Sequence, residues 1–506
     1  MSTLPLTVRL NPNDNVVVAR VAILPGANVE GVAIAQPVPA GHKVATRPIA
    51  KGEPIRKFDQ IIGFATHDIL PGEHVHVHNC AMGDFARDHA AGQDARPTDM
   101  VPEAERPSFP AFVRPNGKVG TRNYIGVLST VNCSATVCKL IAERFPKEEL
   151  AKYPNVDGIL AITHGTGCGM ADRGEGYATL QRTLWGFAAH PNFAAIVMIG
   201  LGCEVMQISF MQDVYGITPG PTFRTLTMQA TGGTRRTIEA AHAMIREMLP
   251  DANRFTRQPV SVGEISLALQ CGGSDGYSGI TANPALGHCA DLLVRNGGTA
   301  ILSETPEIYG AEHLLTRRAV SPEVAAKLLE RIRWWEDYTE RNGGEMNNNP
   351  SPGNKAGGLT TILEKSLGAV AKGGTTNLTG VYLYAEPITT KGFVYMDSPG
   401  YDPASATGQV ASGANMIAFT TGRGSCFGFK PTPSIKIATN SAMYRRMEED
   451  MDIDAGTILE GEETIEQVGK RIFDLVVRVA GGEHSKSEAL GMGEHEFVPW
   501  QIGAVM

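Results

Sequence analysis

The sequence predicts an α/β protein: a small N-terminal all-β domain followed by a large α/β region with mainly parallel sheets. Three observations predict it. Residues 1–88 carry only short apolar runs, separated by Gly-containing turns every 10 to 20 residues. From residue 111 onward, apolar strand-length runs alternate with helix-length amphipathic stretches, the pattern of parallel strands joined by crossover helices. Three of the strands end in Gly-rich turns, HGTGCG, GLGCE and QCGGSDG, at the strand ends where such folds place ligands.

Taken in order, the first strands are Val16-Val17-Val18, Val32-Ala33-Ile34, Lys43-Val44-Ala45 and Ile61-Ile62-Gly63-Phe64. Pro25-Gly26, Ala40-Gly41, Lys51-Gly52 and Pro71-Gly72 supply the turns and leave no room for long helices. Residues 89–110 lose apolar periodicity and gain proline and charge, which predicts a linker draped over the surface. A first α/β domain is expected over 111–260, with strands at 124–129, 158–163 and 195–200 and helices at 135–145, 177–190 and 235–248. A second is expected over 261–506, with a strand at 265–270 and helices at 322–341 and 463–480. Residues 341–358 (RNGGEMNNNPSPGNKAGG) are too rich in Gly, Asn and Pro for regular structure, so they read as a disordered loop or a binding loop.

Composition removes several function classes. Hydrophobic residues at 42% and charged residues at 19% are a globular balance, and 57 glycines with 31 prolines suit a many-turned enzyme better than a helical bundle. The net charge of −8 comes with no basic stripe, which argues against nucleic acid as a partner. The longest apolar stretch, 194–202, is half a membrane span, so no membrane partner is expected. The N-terminus shows no basic start followed by an apolar core, and the expected compartment is the cytoplasm. Eight cysteines without a C-x-x-C pair make neither a disulfide scaffold nor a zinc ribbon.

Four constellations can carry chemistry. His74-Val75-His76-Val77-His78-Asn79, read as a strand, points all three imidazoles to one face, for metal binding or acid–base work or merely as an exposed face; His42-Lys43 sits in a nearby turn. Cys133, Cys168, Cys203 and Cys271 each follow a strand, and if those strands are neighbours their thiols can converge on iron or an iron–sulfur cluster; buried structural thiols are the alternative. Glu304 directly follows the apolar run TAILS and can serve as an oxygen ligand or a base, with Glu307 and Glu312 nearby as helix-start or surface charges. Polar Gly-bearing loops at 120–123, 349–358 and 420–425 combine freed backbone with cations or amides, which suits a small polyanionic or polyhydroxylated ligand. No P-loop and no strand-placed G-x-G-x-x-G occurs, so nucleotide binding is disfavoured.

At these residues the chain resembles the altronate/galactarate dehydratase family nearly end to end. GHK and HVHVHN resemble that family's N-terminal SAF-type β-clip domain, and NGKVGTRN, GLGCE, CGGSDGYSGITANPA, NPSPGNKAGG, TTGRGS and KIATN resemble signatures of its large domain. The resemblance implies an iron-dependent hydro-lyase that dehydrates a sugar acid to a 2-keto-3-deoxy acid. A related branch splits sulfite from sulfolactate, often with the two parts on separate chains, and fusion in one chain leans toward sugar acids. Cys426-Phe427, a bulky pair after Arg423-Gly424-Ser425, departs from the family pattern in an expected substrate loop.

Dehydrating a 2,3-dihydroxy acid means removing a weakly acidic C2 proton while the C3 hydroxyl leaves, with a metal ion stabilising the enediolate charge. The expected catalytic groups are His76, His78, Lys355 and Asp275; the expected substrate contacts are His42, Lys43, Arg122, Asn123, Ser274, Asn354 and Arg423. Iron, as Fe(II) or an iron–sulfur cluster, has two candidate ligand sets. One is the thiols of Cys168, Cys203 and Cys271; the other is His76 and His78 with Glu304. The expected partner is a small sugar acid, and helix faces apolar enough for a homodimer are compatible with the pattern. A sulfo-lyase, or a sugar-acid-binding protein without turnover, is the competing reading.

Overall fold

The computed structural model describes residues 4–505. Its N-terminal part is β-rich. Thr7–Val8, Val16–Ala19, Lys43–Ala45 and His74–Val75 form one antiparallel sheet in that order, and Pro54–Lys57, Gln60–Ala65 and Cys80–Ala81 form a second. Val16, Ala45, Ile49, Ile55, Ile62, Ile69 and Val75 are buried in a core shared with the C-terminal region. The small domain is therefore welded to the large one through apolar surface.

Residues 84–107 cross the surface, pinned by charge. Arg317 holds Asp88 and Asp94 at 2.7 Å each, Arg295 holds Asp99 at 2.6 Å, and buried Glu312 receives Arg87 at 3.0 Å and His89 at 2.9 Å. The expected linker ends early, because Ser108–Val113 pairs antiparallel with Arg257–Ser261. That pairing ties the start of the middle region to its end.

The middle region is a four-stranded parallel sheet in the order Gly158–Ile162, Tyr124–Ser129, Phe193–Gly200, Phe223–Thr227. Helices Asn132–Ala142 and Thr234–Asn253 pack on one face and Glu175–Ala188 on the other. The C-terminal region is a seven-stranded parallel sheet ordered Leu378–Tyr382, Gly392–Met396, Thr299–Leu302, Ser266–Cys271, Met416–Thr421, Ser434–Ala438, Ile453–Asp454. Its central strand, Ser266–Cys271, is followed by Thr299–Leu302 on one side and flanked by Met416–Thr421 on the other, so chain order reverses beside it. Crevices form at such reversals, past the carboxyl ends of the strands.

The helices Pro322–Arg341 and Ile465–Ala480 lie where the periodicity puts them. The 341–358 segment is more ordered than its composition predicts. Met346–Asn348 makes a 3₁₀ turn, and Pro352–Ala356 is a short helix started by a reciprocal cap between Ser351 and Asn354. No described helix is long and apolar enough to cross a membrane.

Candidate active site

Two clusters of chemically competent side chains flank the short helix Pro352–Ala356. The first is built by the small domain. The histidine segment is a strand only over His74–Val75. Asn79 then folds the chain back: its Oδ1 accepts from the His76 amide at 2.8 Å and its Nδ2 donates to the His74 carbonyl at 2.9 Å. The strict alternation expected of a strand is lost, and His78 turns outward into solvent, although its ring stays 5.4 Å from that of His74. Its place is taken by His42, delivered by the neighbouring turn.

His42, His74 and His76 offer ring nitrogens that all lie within 4.8 Å of one another. His42 Nδ1 is 3.0 Å from His74 Nε2, while His42 Nε2 stands 3.3 Å from the Ala356 carbonyl. A carbonyl only accepts, so Nε2 carries the hydrogen and Nδ1 turns its lone pair toward the other imidazoles. Burial, reinforced by the neighbouring imidazoles and Lys43, lowers His74 to about 3 and His76 to about 4, and burial lowers His42 as well. All three rings are thus neutral donors at neutral pH. The Nδ1 of His76 is buried without a hydrogen-bond partner among the described residues. Three neutral imidazoles with an orphaned nitrogen are a donor set that fits a divalent cation.

The second cluster sits at the carboxyl ends of the central strands. Cys271 ends one strand, and Glu304 and Glu307 follow the next; one ligand atom from each lies within 4.8 Å of the others. Glu304 is held at φ 72°, a left-handed conformation costly for a residue with a Cβ. Lys372 Nζ lies 2.9 Å from Cys271 Sγ and 3.1 Å from Glu304 Oε2, with both charged side chains fully buried. Lys365 Nζ lies 2.7 Å from Glu307 and 2.8 Å from Asn349 Oδ1. Burial pushes Glu304 up to about 8 and the Cys271 thiol up to about 12. The Lys372 ammonium occupies the space between thiol and carboxyl that a metal would need, and it pairs with Glu304 when that group is ionised.

Cys271, Glu307, Lys365, Asn349, Asn354 and Asp402 line a cavity of about 430 Å³ that opens to solvent. Burial beside Glu307 pushes Asp402 up to about 6, so this carboxylate titrates near neutrality at the cavity wall. Ser351 and Asn354 of the short helix line the same cavity, and the Ala356 carbonyl of that helix meets His42. One helix thus connects the imidazoles to the cavity.

The remaining expected residues sort by what they touch. Lys355 is half-buried on the connecting helix, and Arg423 is exposed on a loop packed against Gly273 and Gly357. Ser274 and Asn354 join the loops, Asn354 Nδ2 donating to the Ser274 carbonyl at 2.8 Å. Asp275, expected to be catalytic, is instead a fastener: it accepts from Tyr277, Ser278, Thr439 and Asn440. Lys43, expected at the substrate, is fully buried on Glu364 at 2.8 Å and on the Gly358 carbonyl at 2.6 Å. Arg122 and Asn123, also expected at the substrate, are likewise held by groups inside the protein. Arg122, 1% exposed, is clamped on Glu488 and the carbonyls of Thr121, Val479 and Glu483, and Asn123 binds Arg114 and the carbonyls of Asn155 and Ala252.

Neither expected metal set has its ligand atoms gathered within reach of one ion: Cys271 groups with Glu304 and Glu307, and His76 with His42 and His74, while Cys168 and Cys203 follow strands of the middle sheet. Phe427, expected to intrude on a substrate loop, is buried in a stack with Phe419 at 4.8 Å. Composition and spacing missed Lys365, Lys372 and Asp402, whereas Asn349 belongs to the 349–358 loop expected to meet a ligand. The usable signal was position: Asp402 follows the end of Gly392–Met396, as Glu304 follows the end of Thr299–Leu302.

Comparison with known proteins agrees along the length of the chain. Residues 5–83 match the altronate/galactarate dehydratase SAF domain, 111–253 the D-galactarate dehydratase/altronate hydrolase second domain, and 262–505 the D-galactarate/altronate dehydratase C-terminal model. Altronate dehydratase of Escherichia coli (strain K12) is 34% identical over 487 residues, 95% of this chain and 96% of that protein. Galactarate dehydratase (L-threo-forming) of the same organism is 35% identical over 460 residues, covering 90% and 88%. The (2R)-sulfolactate sulfo-lyase subunit beta of Chromohalobacter salexigens is 31% identical over 406 residues, covering 77% and 96%. With three domain models matched in order and relatives matched end to end, the chain belongs to the altronate/galactarate dehydratase family of hydro-lyases.

Proposed function

We propose that the chain dehydrates a sugar acid of the altronate or galactarate type to a 2-keto-3-deoxy acid, with Fe(II) held by His42, His74 and His76. The observation that carries the reading is the shared wall: the helix Pro352–Ala356 gives Asn354 to the cavity and its last carbonyl to His42. Bound there, the ion supplies Lewis-acid stabilisation of negative charge on a substrate oxygen.

The chain's own groups do the rest. Lys365 at the cavity wall, with Lys355 on the helix that bears Asn354 and Arg423 on the loop against Gly273, offers positive charge to carboxylate and hydroxyl oxygens. Asp402, titrating near neutrality, is the base for the C2 proton. His78, exposed beside His74, is the acid for the departing C3 hydroxyl. The resulting enol becomes the keto acid in solution.

The test is an anaerobic panel of aldonic and aldaric acids with Fe(II)-loaded protein, read by the appearance of 2-keto-3-deoxy products. Turnover of one of these acids, lost in His42→Ala and His74→Ala, is the expected result. Sulfite release from sulfolactate in place of keto-acid formation would overturn the substrate class, and binding of sugar acids without turnover would overturn the enzymatic reading.

A further inference from the structure

The cysteines left over from the C-terminal cluster have a geometry of their own. Cys133 lies in the first turn of Asn132–Ala142, just after Tyr124–Ser129; Cys168 follows Gly158–Ile162; Cys203 follows Phe193–Gly200. These three strands are adjacent and parallel, so their carboxyl ends open on one edge of the middle sheet.

The three loops are laced together right beside the cysteines. The Asn132 amide donates to the Thr166 carbonyl at 2.9 Å, the Met206 amide to the Gly167 carbonyl at 3.1 Å, and Thr130 Oγ1 to Glu204 Oε1 at 2.9 Å. Gly167, at φ 97°, presses against the Thr130 carbonyl so closely that any Cβ would collide with it. Glycine there lets the Cys168 loop lie on the Cys133 turn.

All three thiols are exposed, whereas Cys80, Cys138, Cys271 and Cys289 are buried. A free cysteine ordinarily behaves as a small buried hydrophobe, so three exposed ones on the adjacent loops of one strand-end edge are a set that a bound ligand would explain. The turn beginning Asn132–Ala142 has no side-chain cap, which leaves its positive end facing the same edge.

We propose that Cys133, Cys168 and Cys203 bind an iron–sulfur cluster of the four-iron class, in the middle domain and separate from the imidazole site. A single ion needs its donors closer together: the described groups whose ligand atoms all approach within 4.8 Å are the imidazole trio and the Cys271 cluster. In a cubane each thiolate meets a different iron, so the thiolates stand further apart than ligands sharing one ion. Three thiolates satisfy three irons and leave the fourth without a protein thiolate, open to an oxygen ligand. Equal amounts of ferric and ferrous iron with sulfide assemble the core without net electron transfer, and the thiol protons pass to solvent as the thiolates bind.

The experiment is anaerobic reconstitution of the full chain with ferric and ferrous iron, sulfide and a thiol reductant, followed by desalting. Expected are equimolar iron and acid-labile sulfide, broad visible absorption, and protection of these thiols from maleimide. Cys133→Ser, Cys168→Ser and Cys203→Ser should each lower cluster content by about tenfold or more. Cys426→Ser, also at an exposed thiol, and His42→Ala with His74→Ala should keep the cluster, which separates this proposal from the Fe(II) reading of the imidazoles. A melting temperature like that of the parent shows that each serine variant is folded. Iron retained without labile sulfide, or a cluster undiminished when all three cysteines are serine, would overturn the proposal.

Discussion

Lys372 shows how one side chain decides the chemistry of a whole cluster. Its ammonium lies against Cys271 and Glu304 with no access to solvent, and replacing it with methionine would leave the buried carboxylate uncompensated. Above about pH 8, where Glu304 is ionised, Lys372→Met should destabilise the protein by about 3–5 kcal/mol, measured by denaturant unfolding, and Glu304→Gln in the same chain should recover part of it. At the cavity wall, Asp402 makes a different prediction. A base with a value of about 6 must be deprotonated to act, so kcat/KM should fall as pH drops below it. Asp402→Asn should remove that acidic limb and cost about 10²–10⁴-fold in rate, whereas an unchanged pH profile would exclude Asp402 as the base. Glu304 could be read from sequence because it caps an apolar strand. Lys365 and Lys372 could not: in ILEKSLGAVAKGG, lysines at such spacing read as the solvated face of an amphipathic helix. The fold buries that helix on every side.

That buried helix, Ile362–Val370, is the element through which the small domain is held. Its Glu364 receives Lys43 at 2.8 Å and Lys57 at 3.0 Å, both from the small domain, with all three charged groups almost wholly buried. Burial works against the carboxylate, yet the two ammoniums hold Glu364 below the usual carboxylate range. A group with a depressed folded value stabilises the fold above its unfolded value of about 4.3 and loses that contribution as pH falls through the folded value. Glu364→Gln should therefore cost about 3–5 kcal/mol at neutral pH, and its difference from the parent should shrink below about pH 4. A gap that is constant from pH 7 to pH 3 would show that the pairing is not the cause. At this scale the long periodic elements, such as Pro322–Arg341, were legible because a repeating apolar face needs no knowledge of neighbours. The histidine strand was not, because Asn79 ends it through bonds to the backbone of His74 and His76. Alternation of residue type gives no sign of such a turn.

Docking of the small domain places the imidazoles beside the cavity, and that docking rests on backbone meeting backbone. Gly41, Gly276 and Gly358 come together so closely that a Cβ on Gly276 or Gly358 would run into the Gly41 carbonyl. Gly358 also has φ 104°, a conformation that residues with a Cβ rarely adopt. Neither partner of this contact can yield, since His42 follows Gly41 directly and the Gly358 carbonyl receives Lys43. Gly358→Ala should push the small domain off its seat while the two parallel sheets stay folded. The expected outcome is faster amide exchange at residues 42–45 and 74–76, new proteolytic cleavage in the 84–107 segment, and at least about tenfold lower activity, since small misplacements of reacting groups are costly. Gly343→Ala is the control. Its φ of 68° is also left-handed, but a Cβ there meets nothing within 4 Å, so it carries the backbone cost of about 1–2 kcal/mol without the collision. If both variants lose activity and protection equally, general backbone strain is responsible. If Gly358→Ala alone does, the active centre is assembled by the seating of one domain on the other.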